Sequence, residues 1–271
     1  ESYPMGSGYA CVFRADAVGA DVRSVREGEV VFCPADHRSY QRVAEGRVVR
    51  VPAGLAPEVA VFARMVKIPM PAFVHTAARP PETCVVTGLG VVGLMAAQLG
   101  QVYGYEVLAC EPQDRRRRIA REHGVETLLP AVPVGDPAVC KHVGLALECS
   151  GHEQAALDLC TVVRPRGDVF LVGVPWVARS ERLAHTVLHA VFYNYVNLHS
   201  GWEGRMPPSP EIHSEQFHFN AALDWLARGE VGLDELLGRV VTASHREEFH
   251  AERRIVAHAT PVTGAYRAVD F

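Results

Sequence analysis

Residues 83–100 read TCVVTGLGVVGLMAAQLG, and this stretch decides the fold. Thr83 to Thr87 form a short apolar run rich in β-branched residues, which reads as a buried strand. Gly88, Gly90 and Gly93 follow in G-x-G-x-x-G spacing, and Val91 and Val92 open an apolar helical segment. The glycine pattern is weak alone. Its setting, after a strand and at the start of a helix, gives it meaning. Gly88 permits a tight turn, Gly90 lets the backbone approach a pyrophosphate, and Gly93 lets helix and strand pack closely. The pyrophosphate of a dinucleotide would rest on main-chain N–H groups at the positive end of the helix.

The sequence on either side extends the pattern. EVLACE (106–111) is a second strand and ends in Glu111, where a Rossmann domain places the acid that accepts hydrogen bonds from the adenosine ribose. That acid favours NAD over NADP. The four arginines at 115–118 act against it, since Arg116 can neutralise a 2′-phosphate, so NADP is the second expectation. QDRRRRIAREHG (113–124) and HEQAALDLCTVV (152–163) read as helices, and GLALECSG (144–151) and GDVFLVG (167–173) as strands. Alternation of this kind implies a doubly wound parallel sheet. Ligands bind at the carboxyl ends of such strands. Cys149 and Ser150 are therefore expected on the adenine side of the cofactor, and Gly173 and Val174 on the nicotinamide side. Residues 187–202 are read as a helix and a further strand, and 213–229 as an amphipathic helix. Before residue 62 the runs ACVFRADAV, GEVVFCPA, SYQRVAEG and RVVRVPAG are short and β-rich.

Bulk properties narrow the field. The chain has 271 residues, 48% hydrophobic and 21% charged, and a net charge of −4. The charge argues against a nucleic-acid partner held by phosphate contacts. No apolar run reaches the roughly 18–20 residues of a membrane span. Seven cysteines with no C-x-x-C pair read as free thiols in a reducing compartment, so a cytoplasmic location is expected. The chain opens on Glu1 and enters patterned sequence at once, so an N-terminal portion is expected to be missing.

Nearly the whole chain resembles the medium-chain dehydrogenase/reductase superfamily, whose best-known members are zinc alcohol dehydrogenases. Residues 4–32, PMGSGYACVFRADAVGADVRSVREGEVVF, resemble the family's G-H-E-x-x-G segment and the strand that follows it. TGLGVVGLMAAQLG, LECSG and RGDVFLVGV match its dinucleotide-domain landmarks. The resemblance implies an α/β protein in which a GroES-like β-barrel, residues 1–64 and 236–271, is interrupted by a Rossmann domain, residues 65–235. Where zinc-using members place His–Glu, this chain has Tyr9–Ala10, and the further ligand position falls on Ile68. Cys33 and His37 form a Cys–His pair, but tetrahedral zinc needs three or four ligands. No catalytic zinc is expected.

Without a metal, a developing oxyanion must be met by hydrogen-bond donors. Tyr9 occupies the lost ligand position, and His37 and His199 complete the candidate catalytic set. Trp202 is the candidate substrate contact or an interface anchor. The resulting expectation is an NAD(P)-dependent oxidoreductase acting on an alcohol/carbonyl pair of a small molecule. The alternatives are an enoyl- or quinone-type double-bond reductase and a catalytically lapsed nucleotide-binding subunit. The family habit of pairing last Rossmann strands implies a homodimer through residues near Val196–Leu198.

Overall fold

A computed structural model describes residues 8–38, 40–204 and 215–233, and the backbone of three strands nearer the C-terminus. The chain divides into two compact units, Glu1–Arg64 with Ser209–Phe271, and Met65–Pro208.

The first unit contains β1 (Cys11–Arg14), β2 (Val30–Cys33), a 3-10 turn (Glu45–Arg47), β3 (Val49–Arg50) and α1 (Pro57–Ala60). Of the run 39–46, expected to be a strand, residues 40–46 are instead irregular and lead into the 3-10 turn. Glu45 gives the reason: its carboxylate accepts the main-chain N–H of Arg23 at 2.7 Å and of Ser24 at 2.5 Å, which fixes a loop rather than a ladder.

The second unit begins within α2 (Ala63–Lys67) and continues with α3 (Met70–His75), then alternates strand and helix: β4 (Thr83–Thr87), α4 (Val91–Val102), β5 (Glu106–Cys110), α5 (Asp114–Glu122), β6 (Thr127–Leu129), β7 (Val143–Glu148), α6 (Glu153–Val162), β8 (Val163–Leu171), α7 (Ala184–Asn194) and β9 (Asn197–Ser200). Its strands form one parallel sheet in the order β6-β5-β4-β7-β8-β9. The order reverses between β4 and β7, the switch point at which a doubly wound sheet opens its crevice. Helices cover both faces, so β4 and β7 are near-continuously apolar and buried. Fully buried Leu145, Leu147, Val169 and Phe170 line the middle of the sheet, each contributing about 1.5–3 kcal/mol by burial. The three-residue β6 was not anticipated from sequence.

The last elements are α8 (Glu215–Arg228), β10 (Leu237–Thr242), β11 (Ile255–Ala259) and β12 (Ala265–Val269). β11 pairs parallel with β1, giving a second sheet in the order β10-β12-β11-β1-β2-β3. The chain thus returns to its first unit, and its last described segment, β12, is a strand. The return begins earlier than the expected boundary at 236. α8 belongs to the first unit: Phe219 packs on Phe32 of β2 with ring centroids 4.8 Å apart, and Gln216 Nε2 donates to Val48 O at 3.5 Å. No helix among the described residues is long and apolar enough to cross a membrane.

Candidate functional site

The turn between β4 and α4 is built from its three glycines. Gly88 has φ +79°, and a Cβ there would lie 2.7 Å from Ser150 Cβ. A Cβ on Gly93 would fall 1.7 Å from Gly88 O, so only glycine lets α4 close onto the turn. Gly90, the N-cap of α4, differs. Nothing in the protein lies within 4 Å of a Cβ built there, and no side chain caps the helix. Val91, Val92 and Gly93 form the first turn, whose N–H groups have no intrahelical acceptor.

Two buried carboxylates tie the turns at these strand ends together. Glu111, directly after β5 and 2% exposed, accepts the Leu89 N–H at 2.8 Å and the Gln113 N–H at 3.0 Å. Arg116 Nη1 stands 3.4 Å from the same carboxylate, and Arg117 donates to the Glu111 carbonyl. Glu111 therefore braces the glycine turn through Leu89, a task the sequence did not reveal. Glu148, at the end of β7 and also 2% exposed, accepts from Ser150 N at 2.7 Å, Gly151 N at 2.9 Å and Thr87 Oγ1 at 3.3 Å, and from the Ser150 hydroxyl. It ties the end of β4 to the turn after β7. Sequence reading passed over it; the available signal was an acid closing a wholly apolar strand.

Cys149 sits behind the glycine turn, with burial and the neighbouring Glu148 raising its thiol well above the usual range. A Cβ on Gly173 would meet Gly151 N at 2.4 Å, so the turns after β7 and β8 pack main chain on main chain. Val174, next in the chain, is exposed. The structure thus brings Gly88, Gly90, Val91, Val92, Gly93, Glu111, Arg116, Ser150 and Gly173 to the carboxyl ends of adjacent strands.

His199 lies on β9. Its ring stacks on Phe170 at 4.5 Å, and its Nε2 is 2.8 Å from Asp168 Oδ1. Asp168 is a second residue the sequence did not disclose. It also accepts from Thr76 Oγ1 at 2.7 Å, Ala77 N at 2.9 Å and Asn197 Nδ2 at 3.1 Å. Burial alone would raise its carboxyl, but the His199, Thr76, Ala77 and Asn197 donors hold it below the usual range. Trp202 is largely exposed, its ring lying against Gly204. The nearly buried Lys67, on α2, donates to Glu203 O at 2.9 Å.

In the first unit, Tyr9 and His37 come together through Gly8. A Cβ on Gly8 would fall 2.1 Å from the His37 ring, so the imidazole lies flat on the residue before Tyr9. Tyr9 is 48% exposed, with the Arg64 guanidinium 5.2 Å from its ring centre. Among the described residues, no group of three or more His, Cys, Asp or Glu side chains is placed to hold a metal ion.

A parallel six-stranded sheet in this order, with a glycine turn opening its first helix, defines a Rossmann-type α/β protein. Comparison with known proteins agrees. Residues 91–205 match the family model described as zinc-binding dehydrogenase. The chain is 26% identical over 211 residues to the L-threonine 3-dehydrogenase of Anaeromyxobacter sp. (strain K), covering 63% of this chain and 60% of that protein. It therefore spans less than two thirds of that relative's length. Among solved structures, galactitol-1-phosphate dehydrogenase from Escherichia coli superposes with a TM-score of 0.70 at 18% identity, covering 87% of this chain and 77% of the other. A quinone oxidoreductase from Pseudomonas syringae pv. Tomato gives 0.68 at 16% identity, covering 95% and 82%. The dinucleotide-binding part of the chain thus resembles the zinc-binding dehydrogenase family, and the chain shares the fold of these dehydrogenase and oxidoreductase structures.

Proposed function

We propose that this chain is a zinc-independent, NAD(H)-dependent oxidoreductase acting on an alcohol/carbonyl pair of a small organic molecule. The observation that carries the reading is the empty approach to Gly90 beside an uncapped helix N-terminus, at the sheet's switch point. When bound, the nicotinamide cofactor supplies the hydride acceptor or donor. The chain's own residues bind, orient and handle the substrate oxygen. The first turn of α4 would hold the pyrophosphate, with Glu111 directed at the ribose. The Tyr9 phenol would donate to the substrate oxygen, with His37 beside it as proton relay. His199, oriented by Asp168, is a second acid–base candidate, and Trp202 a substrate contact. Zinc independence is supported by Tyr9–Ala10 and Ile68 at the family's ligand positions.

Isothermal titration with NADH and NADPH tests the reading. NADH should bind more tightly. Equal or reversed affinity overturns the NAD preference, and binding of neither overturns the function. Stoichiometric zinc that chelators remove together with activity would overturn the metal-free reading. One observation favours the runner-up, a double-bond reductase using NADPH: Arg116 stands 3.4 Å from Glu111, and a positive charge beside that acid would suit a 2′-phosphate.

The same proposal takes a homodimer and a cytoplasmic setting. β9 is an edge strand, and α7 beside it exposes Leu188, Phe192 and Tyr193 with no charged residue in the helix. All seven cysteines are free. Light scattering that finds only monomer at micromolar concentration counts against the dimer.

A further inference from the structure

β1 and β2 carry a pair of thiols that the cofactor reading does not use. The strands run antiparallel with Cys11 directly opposite Cys33. Directly opposed residues hold their Cα atoms about 4.5–5.5 Å apart, within the roughly 4.4–6.8 Å that a disulfide spans. Opposed residues also share one face of the strand pair, so both side chains enter the same interior. They are 1% and 0% exposed. The two sulfurs are in hydrogen-bond contact. Gln41 Nε2 donates to Cys11 Sγ at 3.0 Å, and the Cys11 thiol reaches Cys33 O at 3.5 Å.

These contacts make the two sulfurs unequal. Cys11 donates to Cys33 and is buried, and both effects hold it as a thiol. Cys33 accepts that hydrogen bond and lies near the Arg47 charge; together these outweigh its burial and draw its thiol below the usual range. Elsewhere burial prevails. It raises Cys84, Cys110, Cys149 and Cys160, in Cys160 against the opposing charge of Lys141, so those sulfurs are held as thiols.

We propose that Cys11 and Cys33 form a peroxide-reactive dithiol, with Cys33 the attacking sulfur and Cys11 the resolving one, which closes to an intrachain disulfide. The oxidant is hydrogen peroxide. The Cys33 sulfur attacks one peroxide oxygen, the O–O bond breaks, and a sulfenic acid forms while the other oxygen leaves as water with the thiol proton. The Cys11 sulfur then attacks the Cys33 sulfur, the S–O bond breaks, and a second water leaves with the Cys11 proton. Two thiols and one peroxide give one disulfide and two waters, with two electrons moving from sulfur to oxygen. The bond would pin the ends of β1 and β2, two residues beyond Tyr9 and four residues short of His37. Because both sulfurs are buried, the oxidant enters only through local opening of the strand pair, so the end point is more telling than the rate.

The test uses the full chain. The folded protein is incubated with hydrogen peroxide, remaining thiols are alkylated in denaturant, and the products are mapped by mass spectrometry without reduction. The expected result is a mass loss of about 2 Da located in one cross-linked peptide pair containing Cys11 and Cys33, and reversed by dithiothreitol. Cys11→Ser should strand the reaction at Cys33, where dimedone adds to the sulfenic acid; Cys33→Ser should leave Cys11 reduced. The proposal is overturned if Cys11 and Cys33 are both alkylated after peroxide has oxidised Cys140, or if the cross-link joins a different pair. If the serine variants do not fold, the unsubstituted chain's peptide map decides alone.

Discussion

The two units hold their candidate residues by opposite means. In the second unit the crevice is made of main chain, and side chains serve it from behind: Glu111 and Glu148 are 2% exposed, and their carboxylates gather N–H groups of the turns. In the first unit the side chains themselves are presented. Tyr9 is 48% exposed, His37 is half-buried against Gly8, and the Arg64 guanidinium lies over the phenol ring. The difference teaches where substitutions should act. In one unit they should change shape and binding together, and in the other chemistry alone.

The sharpest way to break that contrast is within the glycine turn. Gly93→Val puts a Cβ on Gly88 O and should unseat α4, lowering the melting temperature markedly and abolishing nucleotide binding. Gly90→Val meets nothing in the protein, so the fold should survive with its melting temperature nearly unchanged while NADH affinity falls by about 100-fold or more, as Cβ takes the pyrophosphate's space. Calorimetry and titration on both variants check this. If Gly90→Val binds NADH normally, the approach to Gly90 is not the phosphate site.

Tyr9→Phe comes next. It should leave fold and NADH affinity alone and lower turnover by at least about tenfold, since loss of one oxyanion donor commonly costs roughly 10²–10³. Unchanged turnover on the true substrate would remove Tyr9 from the mechanism and move attention to His37 and His199. Glu111→Gln should cost about 1–3 kcal/mol, because it weakens the acceptor for a buried N–H. It should also narrow the gap between NADH and NADPH. A variant as stable as the parent in urea would show that the brace through Leu89 carries little.

Asp168 gives the smallest effect. Its carboxyl is held below its ordinary value in the folded chain, so its hydrogen bonds contribute stability above the unfolded value, about 3.9. That contribution is lost as the pH falls through the lower folded value. Asp168→Asn should remove this part of the acid slope. Identical urea midpoints for parent and variant across pH 5 to 2.5 would contradict it (an order-of-magnitude window around the ordinary carboxyl range).

What was legible in the sequence follows the same division. The glycine turn was readable because its demands are local: a positive φ at Gly88 and a missing Cβ at Gly93 concern neighbours a few residues away. Strand–helix alternation then fixed the parallel sheet. Glu148 and Asp168 were not readable as braces. Their partners, Thr87 for one and Thr76 and His199 for the other, lie 61, 92 and 31 residues away. α8 shows the same limit. Its amphipathic pattern says that one face packs, but not that Phe219 packs on Phe32 rather than on the parallel sheet. The strand expected over residues 40–46 failed for a local reason, because the reach of Glu45 to Arg23 and Ser24 cannot be seen in β-propensity.

α7 has a consequence of another kind, colloidal rather than catalytic. Its sequence, AHTVLHAVFYN, contains no formal charge at neutral pH unless its histidines are protonated, and Leu188, Phe192 and Tyr193 are each more than 60% exposed. The whole chain's net charge is only −4. Little long-range repulsion therefore keeps two such faces apart, and salting-out ions will drive them together sooner than they would a charged helix. His185, His189 and Tyr193 follow one another along that face.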